Sequence, residues 1–453
     1  VRKETDNFGP VWKGGEWKLR NITDTMTTAA FSLLNHASDN REKWLSRFYA
    51  IGKEAVRPRK DGELNAFILP YPEEERPGVA GEDYFRRAEL ISILEQAGVE
   101  TYDSKKISSG KVQIPEGATV VPMSQPYGGF AKALLEKQIY PNLLNPSGQP
   151  IAPYDVTAHT LPLMMDVNVI PVYGLFKKSK GSGLGAGRGC GSSGHGDRGL
   201  PNNVLYRSKI PSMDEGWTRW IFEQQLEKDC STTVETTTNE AIRSGSFATN
   251  SVIFPDQSSN QILNGYAKGS MPDEYTGGVG KEGVENLKKF VEAGGTLVFL
   301  NRSSDFAIEQ FNLPIKNVTK GLARKDFYIP GSILRTELDL TSPIAKGMPK
   351  ESIAWFEGSP AFEIEYVRPG SSGPLSVWDS ANAKNVTIVS KYPTDPKQIL
   401  LSGWALGAEK IAGKAALVEV TIGKGKIILF GFRPQYRGQS LATFPLLFNA
   451  ISN

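Results

Sequence analysis

Histidine and cysteine are scarce in this chain of 453 residues, which limits the chemistry it can support alone. The three histidines are His36, His159 and His195, and none begins an HxxE or HExxH spacing that would bring two zinc ligands together. Two cysteines, Cys190 and Cys230, allow one disulfide but no disulfide framework. We therefore expect no metal ligand and no cofactor site of the chain's own.

A charge excess and long apolar runs are also missing. With 52 Lys+Arg against 49 Asp+Glu the net charge is only +3, so the chain has no global field for nucleic acid and we expect no such partner. No stretch approaches the roughly 18 consecutive apolar residues of a membrane-spanning helix, so no membrane span is expected. The hydrophobic content of 39% is that of a globular protein, and the length predicts two or three domains.

The amino-terminal segment, 1–60, has a helical apolar pattern. Its periodicity predicts one long helix over about 23–54, and the stripe needs a partner, because an amphipathic helix with aromatic side chains does not stay solvated. The stripe consists of Ala30, Leu33, Leu34, Trp44, Leu45, Phe48 and Tyr49. We expect this segment to be the helical remnant of a domain that lies upstream.

The next segment, 61–176, alternates short apolar runs with helical patterns and predicts a small α/β domain with a parallel core. Residues 177–202 are rich in Gly, Ser and basic residues and are predicted to form a linker. A phosphate-binding loop starting at Gly181 is the alternative, but no strand precedes it and Ala186 replaces the last glycine.

In segment 203–453, predicted strands at 204–206, 251–254, 296–300, 398–401, 416–421 and 426–430 alternate with predicted helices at 215–226, 283–293 and 442–451. This alternation predicts a doubly wound α/β sheet. Gly423-Lys424-Gly425 predicts a hairpin turn between the last two strands.

Residues that could carry chemistry are few in this segment. Ser303 and Ser304 follow the strand at 296–300 and could act as nucleophiles, but no histidine follows His195 to serve as a base. Capping of the next helix by Ser304 or Asp305 fits their position directly and is the stronger expectation.

Two polar clusters and one histidine complete the candidates. Asp214, Glu215 and Arg219, beside Trp217, form a dense polar group before a helix, where acidic residues also serve its dipole. A second group could hold an anion beyond the last strand, although structural ion pairing is the stronger expectation; it consists of Arg433, Tyr436 and Arg437. His159 is the one histidine placed where a site could use it.

Several runs of the sequence resemble bacterial secreted proteins of the carboxypeptidase A-like zinc carboxypeptidase family. These are MDEGWTRW from Met213, FVEAGGTLVFL from Phe290, FYIPGSILR from Phe327, LLSGW from Leu400 and GFRPQYRGQS from Gly431. Trp12-Lys13-Gly14-Gly15 and Tyr154-Asp155-Val156-Thr157 belong to the same resemblance, which covers nearly the whole chain. It implies a peptidase domain followed by an extension that ends in a flavodoxin- or glutamine-amidotransferase-like α/β domain.

In that family the zinc ligands and the catalytic glutamate precede the Trp12-Lys13-Gly14-Gly15 segment, so the resemblance assigns no metal ligand and no catalytic residue to this chain. It implies that zinc is held by a peptidase domain upstream or on a companion chain, and that the protein is secreted or periplasmic. The start at Val1, without Met or a leader, agrees with that expectation.

Two hypotheses follow from these observations. In the first, the chain is the non-catalytic carboxy-terminal part of a zinc carboxypeptidase-like hydrolase and supports or gates the peptidase domain. In the second, it is a binding or structural module, in which an amidotransferase-like sheet without a nucleophile presents a crevice to a peptide, a glycan or a surface partner.

Overall fold

A computed structural model describes residues 14–72, 82–104, 107–109, 112–114, 116–174, 203–226, 235–246, 249–365 and 385–452. The predicted linker at 177–202, together with Cys190, His195 and Cys230, lies outside these ranges. The chain divides into two compact units, Val1–Pro58 with Ser124–Pro126, and Arg59–Met123 with Tyr127–Asn453. The domain boundaries predicted at 61–176 and 203–453 stay predictions, and apart from Ser124–Pro126 both of those segments fall in the second unit.

The first unit contains helices α1 (Leu19–Asp39) and α2 (Arg41–Val56). The single long helix predicted over 23–54 is therefore wrong at one point. Asn40 separates the two helices with φ −114° and ψ 23°. It follows Ser38 and Asp39, short polar residues whose side chains compete for backbone hydrogen bonds and so disfavour the helix interior.

The second unit begins with a small sheet and its helices. Its elements are β1 (Ala66–Leu69), α3 (Glu82–Gln96), β2 (Tyr102–Asp103), β3 (Ile107–Ser109), β4 (Val112–Ile114), β5 (Thr119–Pro122), α4 (Gly128–Leu135), α5 (Leu161–Met165) and β6 (Ile170–Val172). The strand order is β2-β5-β1-β6, and every neighbouring pair is antiparallel. The predicted parallel core is wrong because the hairpin β3-β4 turns the chain, so that β5 runs back between β2 and β1.

The rest of the second unit forms one large mixed sheet with helices. Its elements are β7 (Asn203–Arg207), α6 (Met213–Leu226), β8 (Glu235–Thr238), α7 (Asn239–Ser244), β9 (Ser251–Phe254), α8 (Ser259–Asn264), α9 (Gly280–Glu292), β10 (Thr296–Leu300), α10 (Ser303–Gln310), β11 (Ile315–Asn317), β12 (Pro330–Leu338), β13 (Glu351–Glu357), β14 (Phe362–Ile364), β15 (Val386–Lys391), β16 (Leu400–Ser402), β17 (Ala415–Ile422), β18 (Gly425–Phe430) and α11 (Phe444–Ser452). The main path of the sheet is β13-β12-β15-β17-β18-β10-β9-β7-β8.

One half of this sheet is parallel and doubly wound, as predicted. Strands β8, β7, β9, β10 and β18 are parallel neighbours in that order. All residues of β9 and β10 are buried, because helices cover both faces of a parallel sheet. Phe254 of β9 stacks on Phe299 of β10 with ring centroids 4.6 Å apart.

The other half, from β17 to β13, is antiparallel. Of its strands, the sequence patterns predicted only β17 and β16. The hairpin between β17 and β18 is confirmed, with Ile422 paired to Gly425 across the turn. The α/β fold class is thus confirmed, and the sheet is larger and more mixed than the pattern of elements indicated.

Candidate functional site

The parallel half of the sheet has a switch point between β7 and β9. The chain passes from β7 to β8 on one side, and the next strand, β9, lies on the other side of β7. The connections therefore leave in opposite directions and open a crevice beyond the carboxyl ends of the strands. In doubly wound sheets this is where ligands bind.

A crevice of about 870 Å³ lies at this switch point. Its floor is formed by the ends of β7 and β8 and by Pro255 and Gln257 after β9. Tyr266, Met271 and Tyr275, from the loop between α8 and α9, also line it. Its size and mixed lining are those of a small-molecule site.

Beside the crevice, the carboxyl ends of β9, β10 and β18 place charged side chains together. Asp256 follows β9 and accepts hydrogen bonds from Arg302, after β10, at 2.7 Å and from Arg433, after β18, at 2.8 Å. Arg433 also donates through Nε to Asp214, at the start of α6, at 3.0 Å. Glu357 at the end of β13 lies 3.6 Å from the same guanidinium. In this buried ion cluster Asp214, Asp256 and Arg433 are each at most 8% exposed, whereas the side chain of Arg302 is 49% exposed and forms its open side.

The two aspartates of the buried ion cluster differ in their pKa. Burial raises the pKa of Asp214 from 3.8 to about 7, against the opposing effect of Arg433. Burial also disfavours ionised Asp256, but the hydrogen bond from Arg302 and the charge of Arg433 hold its pKa below the ordinary value. Asp256 is therefore the permanent anion of the cluster, and Asp214 is the group that titrates near neutrality.

The raised pKa of Asp214 predicts a pH-dependent stability that Asp214→Asn removes. As the pH rises from 3.8 to about 7, the unfolded state loses this proton before the folded state does, so stability is lost over that window. The urea concentration at the midpoint of unfolding should therefore decrease as the pH is raised from about 5 to 7 in the wild-type protein. It should decrease less in Asp214→Asn. Parallel pH profiles for the two proteins would contradict this assignment.

The turn between β10 and α10 carries Asn301 in a left-handed conformation, with φ 55°. A nucleophile on such a strand-to-helix turn would be a serine or cysteine. Asn301 is instead buried, and its Nδ2 donates to Asp256 at 3.0 Å. Its Oδ1 has no hydrogen-bond partner among the described residues.

Ser303 and Ser304, the predicted alternative nucleophiles, are fully buried. Ser303 donates to the carbonyl oxygens of Phe254 and Leu300, at 3.0 and 2.8 Å, and Ser304 donates to that of Phe430 at 3.2 Å. These hydroxyls tie α10 to the ends of three parallel strands. Helix α10 begins at Ser303 without a side-chain cap, so the capping alternative for Ser304 and Asp305 is wrong.

The structure places the other predicted site residues in three environments. Asp214 and Arg433, which were predicted in separate clusters, form one ion pair. Glu215 lines the crevice and forms an ion pair with Arg219. Arg219 also donates a hydrogen bond to Thr236 at 3.0 Å. Tyr436 stacks on Trp355, with centroids 3.8 Å apart.

The last two candidates lie at the surface of the second unit. Arg437 forms an ion pair with Asp155, at 2.9 Å, in which both side chains are well exposed. His159 is exposed, and its backbone N–H donates to Gln138 at 2.8 Å.

Sequence reasoning missed Asp256, Asn301 and Arg302, although it had located strands β9 and β10. Each of these residues comes one or two positions after a buried strand, and polar residues there meet at one edge of a parallel sheet. That rule, applied to both strands, would have found them.

Within the described ranges, no group of three or more His, Cys, Asp or Glu side chains is arranged to hold a metal ion. Asp214 and Asp256 approach each other only through Arg433, whose guanidinium occupies the position between them. None of the described helices has the length and hydropathy that crossing a membrane requires.

The sheet and its crevice define an α/β protein with a doubly wound parallel half. No family profile and no curated protein matches the chain. Solved structures that are similar to part of the chain include a ThuA-like protein from Bacteroides uniformis, with 14% identity, a TM-score of 0.30 and coverage of 55% of this chain and 90% of that one. A glutamine amidotransferase from Thermotoga maritima has 7% identity and a TM-score of 0.30, over 51% of this chain and 75% of that one. These values are too low to support a functional argument.

Proposed function

We propose that the chain is the non-catalytic part of a zinc carboxypeptidase-like secreted hydrolase, and that α1 and α2 pack on its zinc-bearing peptidase domain. The observation that carries the proposal is the exposure of their apolar side chains. No residue of either helix is buried within the first unit. The large exposed side chains are Leu19, Ile22, Met26, Phe31, Leu33, Leu34, Trp44, Leu45, Phe48, Tyr49, Ile51 and Val56.

The exposed apolar side chains of α1 and α2 would gain free energy if another protein surface covered them. Covering one such side chain stabilises a complex by about 1.5–3 kcal/mol, so a face with this many apolar residues is a strong association surface. Phe48 is 79% exposed and Tyr49 is 70% exposed, whereas Phe254, Phe299 and Trp355 of the large sheet are at most 1% exposed. An apolar helix face of this kind is typical of an interface.

The resemblance of the sequence to zinc carboxypeptidases suggests what covers this face. In the proposed assembly, the peptidase domain holds the zinc and performs peptide hydrolysis, and the present chain supplies no metal ligand. The domain belongs to the same polypeptide or to a companion chain, in the periplasm or outside the cell.

The first test is the intact mass and zinc content of the protein purified from its own cells. We expect a mass above the 49.6 kDa of this chain, and about one zinc ion per assembly, as in a mononuclear catalytic site. Peptide mapping should identify the additional mass as a polypeptide with an HxxE motif. Zinc-free native material of 49.6 kDa would contradict the proposal.

A second function is favoured by the site at the parallel edge, namely ligand binding without catalysis. Asn301 occupies the strand-to-helix turn, buried and bonded to Asp256, so this turn offers no nucleophile. The crevice beside it stays open and is lined by polar and aromatic side chains. The two functions are compatible, since a binding domain that accompanies a hydrolase can hold its substrate or its target surface.

A further inference from the structure

We propose that the crevice at the β7/β9 switch point binds a short neutral saccharide, through hydroxyl contacts on its floor and tyrosine stacking on its loop side. The inference rests on the second function above, binding without catalysis, and gives it a ligand class. Two independent features of the crevice support it: the balance of its charges and its aromatic loop.

Three of the five charged side chains that line the crevice form ion pairs. Lys209 Nζ lies 2.8 Å from Glu240 Oε1, and Glu215 is bound by Arg219. In each ion pair the two charges largely cancel, while oxygen lone pairs and N–H groups remain for hydrogen bonds to a ligand. A neutral polar ligand can use these groups without the desolvation penalty that an unpaired charge would impose.

An anionic ligand fits this lining poorly. Two basic side chains of the lining, Arg207 and Lys209, face three acidic ones, Glu215, Glu240 and Glu274. A phosphate or nucleotide site needs an excess of donors and positive charge. In this crevice the acidic side chains outnumber the basic ones by one.

The loop between α8 and α9 provides the aromatic surface. Tyr275 is 49% exposed and Met271 is 43% exposed, and both line the crevice with Tyr266. The loop is held by a bridge between Tyr266 and Thr276 and by a 3.0 Å hydrogen bond from the Gly277 N–H to the Tyr266 carbonyl. Exposed tyrosines on a fixed loop offer an apolar face and a hydroxyl, which match the C–H face and the hydroxyl rim of a sugar ring.

Gln257, on the floor of the crevice, has an unused acceptor. Its Nε2 donates to the Ile210 carbonyl at 2.7 Å, which fixes the orientation of the amide. Its Oε1 has no hydrogen-bond partner among the described residues and is itself enclosed by protein, so a ligand in the crevice does not reach it. Gln257 therefore contributes a fixed, closed part of the floor, and ligand contacts fall to the other polar side chains of the lining.

The test is titration of the full chain with four neutral disaccharides, maltose, cellobiose, lactose and diacetylchitobiose, by isothermal calorimetry and saturation-transfer NMR. We expect at least one to bind with a dissociation constant of about 1 mM or below, with little dependence on salt. Tyr275→Ala should weaken this binding at least about tenfold. Tyr154→Ala, which removes an exposed tyrosine outside the crevice, should leave it unchanged.

Trialanine, a zwitterionic peptide, separates failure of the inference from failure of the binding function. Binding of trialanine but of no disaccharide, sensitive to Tyr275→Ala, would overturn the saccharide proposal and keep the binding function. Disaccharide binding that survives Tyr275→Ala would also overturn the proposal, because the sugar would then sit elsewhere. If none of the five compounds binds, both the inference and the binding function fail.

Discussion

Replacing Arg433 by alanine is expected to cost about 3–5 kcal/mol of unfolding free energy, because removal of one partner leaves buried charge uncompensated. Arg433 is the guanidinium between Asp214 and Asp256, at 3.0 and 2.8 Å, and it also donates to the Glu357 carbonyl at 2.9 Å. Its loss would leave Asp214, which is 5% exposed, without its guanidinium donor, and would remove one of the two guanidinium partners of Asp256. Urea unfolding near neutral pH measures the difference directly.

Arg437, four positions further on, is the matched control. It is also ion-paired, to Asp155, but the two side chains of that pair are 38% and 48% exposed, whereas those of Arg433 and Asp214 are 9% and 6% exposed. Exposed pairs contribute about 0–1 kcal/mol, so Arg437→Ala should be nearly neutral. Equal costs for the two variants would show that the buried ion cluster does not hold the sheet edge together.

A double-mutant cycle sharpens this test. Asp214→Asn removes the carboxylate that faces Arg433 Nε, so Arg433→Ala should cost less in that background. The coupling reports on the Asp214 pair alone, since Asp256 keeps its hydrogen bond from Arg302 in both backgrounds. We expect a coupling energy of about 1–3 kcal/mol, and additivity would contradict the proposed pairing.

The parallel half of the fold was predictable because its strands are buried on both faces. Strands β9 and β10 are continuous apolar runs bounded by polar residues, and the sequence prediction placed them at 251–254 and 296–300, where the structure has them. The antiparallel strands were harder. In β12, the polar residues Ser332 and Thr336 are themselves buried, so no clean alternation marks the strand.

The direction of the small sheet could not be read from local pattern. Strand β1, helix α3 and strand β2 follow the order expected of a parallel unit, and β1 and β2 do point the same way, since both are antiparallel to β5. What the pattern could not supply was the insertion of β5 between them. That placement depends on a hairpin of two three-residue strands, β3 and β4, which carries almost no periodic signal.

The buried ion cluster was predicted only in part because its members lie far apart along the chain. Asp214, Asp256, Arg302 and Arg433 come from four separate connections, and only the strand order brings them to one edge. The sequence indicated Asp214 and Arg433 through their polar neighbourhoods and missed the two residues between them. Knowledge of the order β9-β10-β18 is what makes the cluster a single site.

The second large effect is expected at the exposed face of α2. Leu45 and Phe48 are one turn apart on the same side of the helix, 67% and 79% exposed. If this face packs on the zinc-bearing peptidase domain, the double variant Leu45→Glu and Phe48→Glu places two charges in an apolar interface. Association should weaken by at least about a hundredfold, because two buried anchors of about 1.5–3 kcal/mol each are lost and two carboxylates must be desolvated.

The same substitutions should not unfold the chain. Side chains that are already in solvent make few contacts to lose, and such changes stay within about 0.5 kcal/mol. Lys53→Glu, an exposed charge change on the same helix, is the matched control for charge alone. Its association should equal that of the unmodified chain, which separates a loss of apolar contact from a change in electrostatics.

The most direct test is therefore affinity capture of the tagged chain from its own cells. Zinc and the mass of the bound polypeptides are measured for three proteins: the unmodified chain, Lys53→Glu and Leu45→Glu/Phe48→Glu. The proposed assembly predicts about one zinc and an HxxE-bearing peptidase with the first two, and neither with the third. Where the peptidase belongs to the same polypeptide, limited proteolysis within α2 replaces capture as the readout. Equal zinc and equal mass from all three chains, or α2 equally resistant in all three, would contradict the claim that this face covers a peptidase domain.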